Sequence, residues 1–293
     1  MLSRKAVVTD ADEAMRPYGA LAHQVKDNSY IMRCGFIYTS PWVVTAHTVR
    51  HPAAILLTAK HAAFELSVNG VKRSYQAVAI KPVTARGLSA RDVMLVSIHI
   101  HPNHPHFRLF RAIRDAGILV LDRSRYTAFD PALEAAYRGS LDLGEATRLF
   151  EDIVATTIRC LPKVKKTDSR VERAIALLQQ DPAYPLTELA ATLGLSYDRM
   201  SHLFSETVGL PLRSYQLWQK AYNAAFLFDS GRPLTDIAHA AGFSDSAHLS
   251  RIFQNSYGIS PSYFMDRSAV RYICDHSVAE KFCRKRANLS AGR

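Results

Sequence analysis

The sequence predicts an α+β chain of two domains: a β-rich N-terminal domain that ends in a helical segment, and an all-helical C-terminal domain of two helix-turn-helix units joined by a linker helix. Three observations carry that prediction. Asn69-Gly70 separates two strand-like runs. Near residue 106 the apolar pattern changes from alternation to spacings of three and four. Residues 186–196 recur as residues 234–244, a constant offset of 234 − 186 = 48. The boundaries that follow are 1–162 for the first domain, 163–168 for a linker, 169–267 for the helical domain and 268–293 for a basic tail.

Composition narrows the function classes. The 293 residues are 48% hydrophobic and 22% charged, enough for a buried core in each half. The net charge of +11 favours a polyanionic partner. It does not locate that partner: residues 1–162 carry 20 − 14 = +6 and residues 163–293 carry 17 − 12 = +5. Met1 to Met15 mix both charge signs and contain no apolar run of the secretory type. No stretch approaches the roughly 18 apolar residues of a membrane span. The four cysteines, Cys34, Cys160, Cys274 and Cys283, form no CxxC and suit a reducing cytosol, with a redox pair of Cys274 and Cys283 as the minority alternative.

In the N-terminal half, Phe64, Leu66 and Val68 alternate with polar residues, Asn69-Gly70 follows, and Val71 to Tyr75 resumes the strand pattern. Asn-Gly supplies the positive φ at both central positions of a type I′ hairpin turn. Val93 to Ile100 reads as a further strand. Beyond residue 106 the pattern is helical, and Leu149, Phe150, Ile153, Val154, Thr157 and Ile158 form one apolar stripe. Core and dimer interface are its two readings. Ser169 with Glu172 reads as a capping box opening the next helix, whose buried face is Val171, Ala174, Ile175 and Leu178.

The repeat carries the functional argument. Leu186-Thr187-Glu188-Leu189-Ala190-Ala191-Thr192-Leu193-Gly194-Leu195-Ser196 matches Leu234-Thr235-Asp236-Ile237-Ala238-His239-Ala240-Ala241-Gly242-Phe243-Ser244. Each copy reads as helix, tight turn, helix. Gly194 and Gly242 stand where the chain leaves a helix with positive φ, and Ser196 and Ser244 stand where the next helix needs a cap. The second helix of each copy keeps its core on Met200, Leu203 and Phe204, or on Leu249, Ile252 and Phe253. Its other face is polar, as reading a DNA major groove requires. The helix between the copies, about residues 212–228, spans roughly 25 Å at 1.5 Å per residue. The two reading helices are then expected about 34 Å apart, one turn of B-DNA.

Residues 168–267 resemble the DNA-binding domain of the AraC/XylS family of bacterial transcription regulators. The most specific run is Ile237-Ala238-x-x-Ala241-Gly242-Phe243-Ser244-Asp245 through Ser250-Arg251-x-Phe253 to Tyr257-Gly258-Ile259-Ser260-Pro261-x-x-Phe264. The resemblance implies double-stranded promoter DNA as partner. It implies base reading by Asp198, Ser201 and His202 in the first unit and by Ser246, Ala247, Ser250 and Arg251 in the second. Tyr197, Arg199 and Lys220 would touch phosphates. His202 stands where the family often has Arg, and His248 replaces a common aromatic. Residues 30–105 resemble, more weakly, the cupin-like sensor domain of many relatives, which implies a small-molecule effector and a homodimer. The family also implies RNA polymerase contact and a cytoplasmic location.

Two rivals remain. His99, His101, His104 and His106 invite a metal, and a cupin metalloenzyme with a DNA-binding appendage would follow. His99 and His101 share one strand face, but no carboxylate stands at a convincing spacing. The expectation is therefore no metal, no cofactor and no enzyme activity. The other rival is an architectural protein that binds DNA without sequence preference.

Overall fold

The structure is a computed structural model that describes residues 27–59, 62–114, 116–163, 168–258 and 260–275. Its centre is a nine-stranded mixed sheet. The strands are β1 (Asp27–Met32), β2 (Gly35–Val49), β3 (Ala53–Thr58), β4 (Phe64–Val68), β5 (Val71–Tyr75), β6 (Ala77–Ile80), β7 (Ala85–Ile100), β8 (Ile118–Val120) and β9 (Val270–Cys274). The main path runs β8-β6-β3-β7-β2-β1-β9, with the β4–β5 hairpin paired to β7.

β2 and β7 are long enough to serve two neighbourhoods. Near their paired ends, Gly35 faces Ile100 and Phe36 faces His99. The second half of β7 takes β3, from Ala53 opposite Ile100 to Thr58 opposite Leu95. Its first half takes β4, with Leu66 opposite Leu88. The hairpin stands as predicted: Asn69 and Gly70 have φ of 51° and 77°, and β4 alternates Phe64, Leu66 and Val68 inward.

β1 and β3 are buried at every residue because the sheet is covered on both faces. Asn28, Tyr30, Ile37 and Ile98 look one way. There α2 (Asp130–Arg138) and α3 (Leu143–Ile158) lie across them, and the Tyr30 hydroxyl donates to Ala136 O at 3.0 Å. Asp27, Phe36, Tyr38, His99 and His101 look the other way, toward the C-terminal helices. The short α1 (Phe107–Phe110) follows β7, and a 3-10 helix (Arg123–Phe129) precedes α2.

The helical domain runs α4 (Ser169–Gln180), α5 (Leu186–Thr192), α6 (Tyr197–Val208), α7 (Leu212–Ala225), α8 (Leu234–Ala241), α9 (Ser246–Tyr257) and α10 (Pro261–Met265). Its core is aromatic: Trp218 and Tyr222 of α7 stack at 5.7 Å, and the Trp218 indole donates to the Tyr257 hydroxyl at 2.9 Å.

Three expectations need correction. The tail read over 268–293 is not a tail at its start: Val270–Cys274 pairs in parallel with β1, Asp27 opposite Val270. Of the two readings of the α3 stripe, the structure supports core: Leu149, Phe150, Ile153, Val154 and Thr157 are buried against the sheet and the 3-10 helix. The segment after residue 106 is not wholly helical, since β8 pairs with β6. Asp168, not Ser169, caps α4 by accepting from Arg170 N at 2.9 Å. The charge-mixed start at Met1 to Met15, most of the linker (164–167) and Cys283 lie outside the described residues.

Candidate DNA-binding interface

The two helix-turn-helix units are built by the same local interactions. Leu189 and Ala190 are buried, as are Ile237 and Ala238. Small residues at the second position let the reading helix pack close. Ala190 O accepts from Leu195 N at 3.0 Å, and at the equivalent place Ala238 O accepts from Phe243 N at 2.9 Å. Between them, Gly194 and Gly242 take φ of 68° and 92°, the left-handed step that glycine makes without a Cβ penalty.

The caps differ. Ser196 caps α6 by accepting from Arg199 N at 3.3 Å, as expected. In the second unit Asp245 is the cap, accepting from His248 N at 2.7 Å, and Ser244 donates to the Asp245 carboxylate at 2.8 Å. These bonds, and then the Arg251 charge, hold the Asp245 carboxyl below the ordinary carboxylate range.

α6 and α9 are amphipathic in matching ways. Met200 and Phe204 are buried on α6, Leu249 and Phe253 on α9. Of the predicted contact residues on α6, Tyr197, Asp198, Arg199 and His202 are exposed and Ser201 is half-buried. His202 Nε2 lies 3.1 Å from Glu206 Oε1 on the surface. On α9, Ala247 and Arg251 are exposed, and Ser246 and Ser250 are half-buried. The Ser250 hydroxyl donates to Ser246 O at 2.8 Å, which leaves its lone pairs for an incoming donor. His248 is not a contact of this face alone: its ring sits edge-on to Phe243 at 5.2 Å. Lys220 stands apart on α7 and is half-buried.

The histidine cluster divides. His99 stacks on Phe36 with centroids 4.2 Å apart. His101 is fully buried among Trp218, Tyr222 and Tyr257, at 5.2, 4.2 and 5.8 Å. Burial drives both imidazoles well below their ordinary pKa, aided at His99 by Arg50 and Arg86, so both are neutral. His104 lies 3.5 Å from the Glu151 carboxylate, and His106 is exposed. Among the described residues no three His, Cys, Asp or Glu side chains are grouped to hold a metal.

Contacts between the domains were invisible in the sequence. Asp27 accepts from the hydroxyls of Tyr38 and, at 2.7 Å, Tyr263, and burial raises its pKa. His51 Nδ1 meets Ser256 Oγ at 3.1 Å. A cavity of about 470 Å³ lies between α4, α6 and residues 102–106 with the start of α1, lined by Phe107, Val171 and Val208 among others.

Two linked helix-turn-helix units on one long helix are the architecture of a DNA-binding domain. Residues 189–267 match the family described as a helix-turn-helix domain. The Transcriptional activator NphR of Rhodococcus sp is 31% identical over 126 residues, which cover 42% of this chain and 37% of that protein. The Arabinose operon regulatory protein of Salmonella typhimurium is 32% identical over 101 residues, 33% of this chain and 36% of that protein. Among solved structures, unsaturated fatty acid bound ToxT from Vibrio cholerae superposes with a TM-score of 0.50 at 13% identity, over 78% of this chain and 93% of that one. That likeness extends the shared fold across both domains. By the family match, residues 189–267 are a helix-turn-helix domain. The matches span little more than a third of the length of these curated relatives. No helix among the described residues is long and apolar enough to cross a membrane.

Proposed function

We propose that this protein is a sequence-specific DNA-binding transcription regulator, controlled by a small effector or a partner at its N-terminal domain. The observation that carries the reading is the repeated unit itself: α6 and α9 present matching exposed faces from one helical scaffold. Base reading falls to Asp198, Ser201, His202, Ser246, Ala247, Ser250 and Arg251, and phosphate contact to Tyr197, Arg199 and Lys220. Reading helices enter a major groove by their N-terminal residues. Those N-terminal ends expose Tyr197, Asp198 and Arg199 on α6 and Ala247 on α9.

The effector belongs in the cavity of about 470 Å³ between the domains, within the range of small-molecule sites. A ligand there touches Thr207 and Val208, the last residues of α6. The structure of ToxT with an unsaturated fatty acid favours a ligand-regulated fold of this kind. The same reading makes the protein a cytoplasmic homodimer that contacts RNA polymerase and has no enzyme activity of its own.

The test is selection of bound sites from random double-stranded DNA, followed by competition with scrambled DNA. A shared sequence bound at least about a thousandfold more tightly than scrambled DNA is expected, with affinity falling steeply as salt rises. Equal competition by scrambled DNA overturns the proposal in favour of an architectural role.

A further inference from the structure

Gly209 and Gly258 occupy equivalent places in the two repeats, each just after a reading helix. Gly209 N donates to Ser205 O at 2.8 Å and Gly258 N to Gln254 O at 2.7 Å, with φ of 82° and 77°. Over each glycine lies an arginine of the N-terminal domain. A side chain at Gly209 would collide with the Arg111 guanidinium, and one at Gly258 would come within 3.0 Å of Arg50 Nε. Arg111 Nη1 donates to Glu206 O at 2.6 Å and also to Thr207 O.

These are the ends where a helix leaves its last carbonyls without partners and carries its negative pole. A guanidinium suits both needs. Arg50 is 5% exposed, and no carboxylate among the described residues pairs with it. Its guanidinium lies against Gly258 at the end of α9, where the helix carries its negative pole. His51, the next residue, holds Ser256 of α9.

The two arginines come from separate places in one domain. Arg50 follows β2 and Arg111 follows α1. Arg111 is hydrogen-bonded to the end of α6, and Arg50, whose Nε has no hydrogen-bond partner, is packed against the end of α9, so both inner ends meet the same domain. The outer ends stay free.

We infer that Arg111 and Arg50 are positioning residues that fix the separation and pitch of α6 and α9, and so set the spacing of DNA half-sites that the protein accepts. The inference rests on α6 and α9 being the groove readers proposed above. One inserted base pair shifts a half-site by about 3.4 Å and rotates it by about a tenth of a turn. A rigid pair of helices cannot follow, whereas a pair freed at its inner ends can.

The experiment uses the full chain and the sequence selected from random DNA, with one base pair added or removed midway between its half-sites. For the wild type the altered spacing should cost about tenfold or more in affinity, the equivalent of at least one lost base contact. In Arg111→Ala and Arg50→Ala the penalty should shrink to about threefold or less, while the base preference within each half-site stays as in the wild type. Arg111→Lys keeps the charge but not the fork, and should fall between. If an alanine variant fails to fold, the lysine variant carries the test. Folded variants that keep the wild-type spacing penalty overturn the inference, and so does an equal loss on every probe. A wild type with no preferred sequence sinks the DNA-reading proposal instead, and that is seen before any variant is made.

Discussion

Acidification from about pH 6 to pH 5 should destabilise this protein in part through His101, and His101→Phe should remove that part. In the unfolded chain the imidazole titrates near its ordinary value of about 6.5. In the folded chain it is fully buried among the rings of Trp218, Tyr222 and Tyr257, and burial, with the nearby His104, holds its pKa well below 6.5. Between those two values the unfolded chain carries a proton that the folded chain lacks. The contribution of neutral His101 is therefore fully present above about pH 6.5 and is lost as the pH falls, at about 1.4 kcal/mol per pH unit. His99 behaves alike, while burial raises Asp27 and gives it the opposite trend. Both cancel in the difference between wild type and variant. At neutral pH the substitution should be close to neutral. Neither ring nitrogen of His101 has a hydrogen-bond partner, so phenylalanine relieves a desolvation penalty of about 1–3 kcal/mol while its larger ring adds a similar packing cost. Urea unfolding followed by Trp218 fluorescence at several pH values measures the slope. Equal slopes for wild type and His101→Phe, to within about 0.3 kcal/mol per pH unit, would refute the buried neutral imidazole.

Arg251→Ala should weaken binding to the selected site about tenfold to a hundredfold and relax discrimination at one base pair, as loss of a guanine fork does. Equal loss on every single-base variant would make it a phosphate contact. Ile153→Asp should abolish cooperative unfolding, because Ile153 is fully buried under the sheet and a lone carboxylate there costs several kcal/mol. A folded variant that only changes its oligomeric mass would restore the interface reading of that helix. Ending the chain after Arg267 should expose the β1 edge and cause aggregation, read by light scattering. A monodisperse, thermally unchanged product would show that β9 adds nothing.

The legible parts of this molecule are the local ones. The helix-turn-helix units announce themselves because the glycine turn, the small residue before it and the apolar spacing all lie within about thirty residues. The Asn69-Gly70 hairpin is legible for the same reason. The Ser244-Asp245 pair offers two capping side chains in a row, and sequence alone cannot say which one takes the role. That His99 and His101 share a face follows from strand geometry, but what they face does not, since Trp218 and Tyr222 come from the other domain. The stripe on α3 shows that it is buried without showing by what. β9 is five residues long and its partner is β1, at the opposite end of the described chain. No local pattern marks such a pairing. Arg50 and Arg111 are lone arginines on separate elements, and their shared role exists only in three dimensions.

Because β9 returns to β1, the helical domain is topologically an insertion into the sheet domain, not an appendage on a tether. Its backbone joins the sheet domain at two places, the connection after α3 and the five-residue strand that follows α10. Rotation about the line that joins them would have to break the contacts of Arg111 with α6, His51 with Ser256 and Asp27 with Tyr263. Any effector-driven movement of the reading helices must use that axis or strip a strand from its ladder. The same closure bears on synthesis at the ribosome. The N-terminal sheet lacks its last strand until Cys274 has emerged, so the first domain made is among the last to be finished.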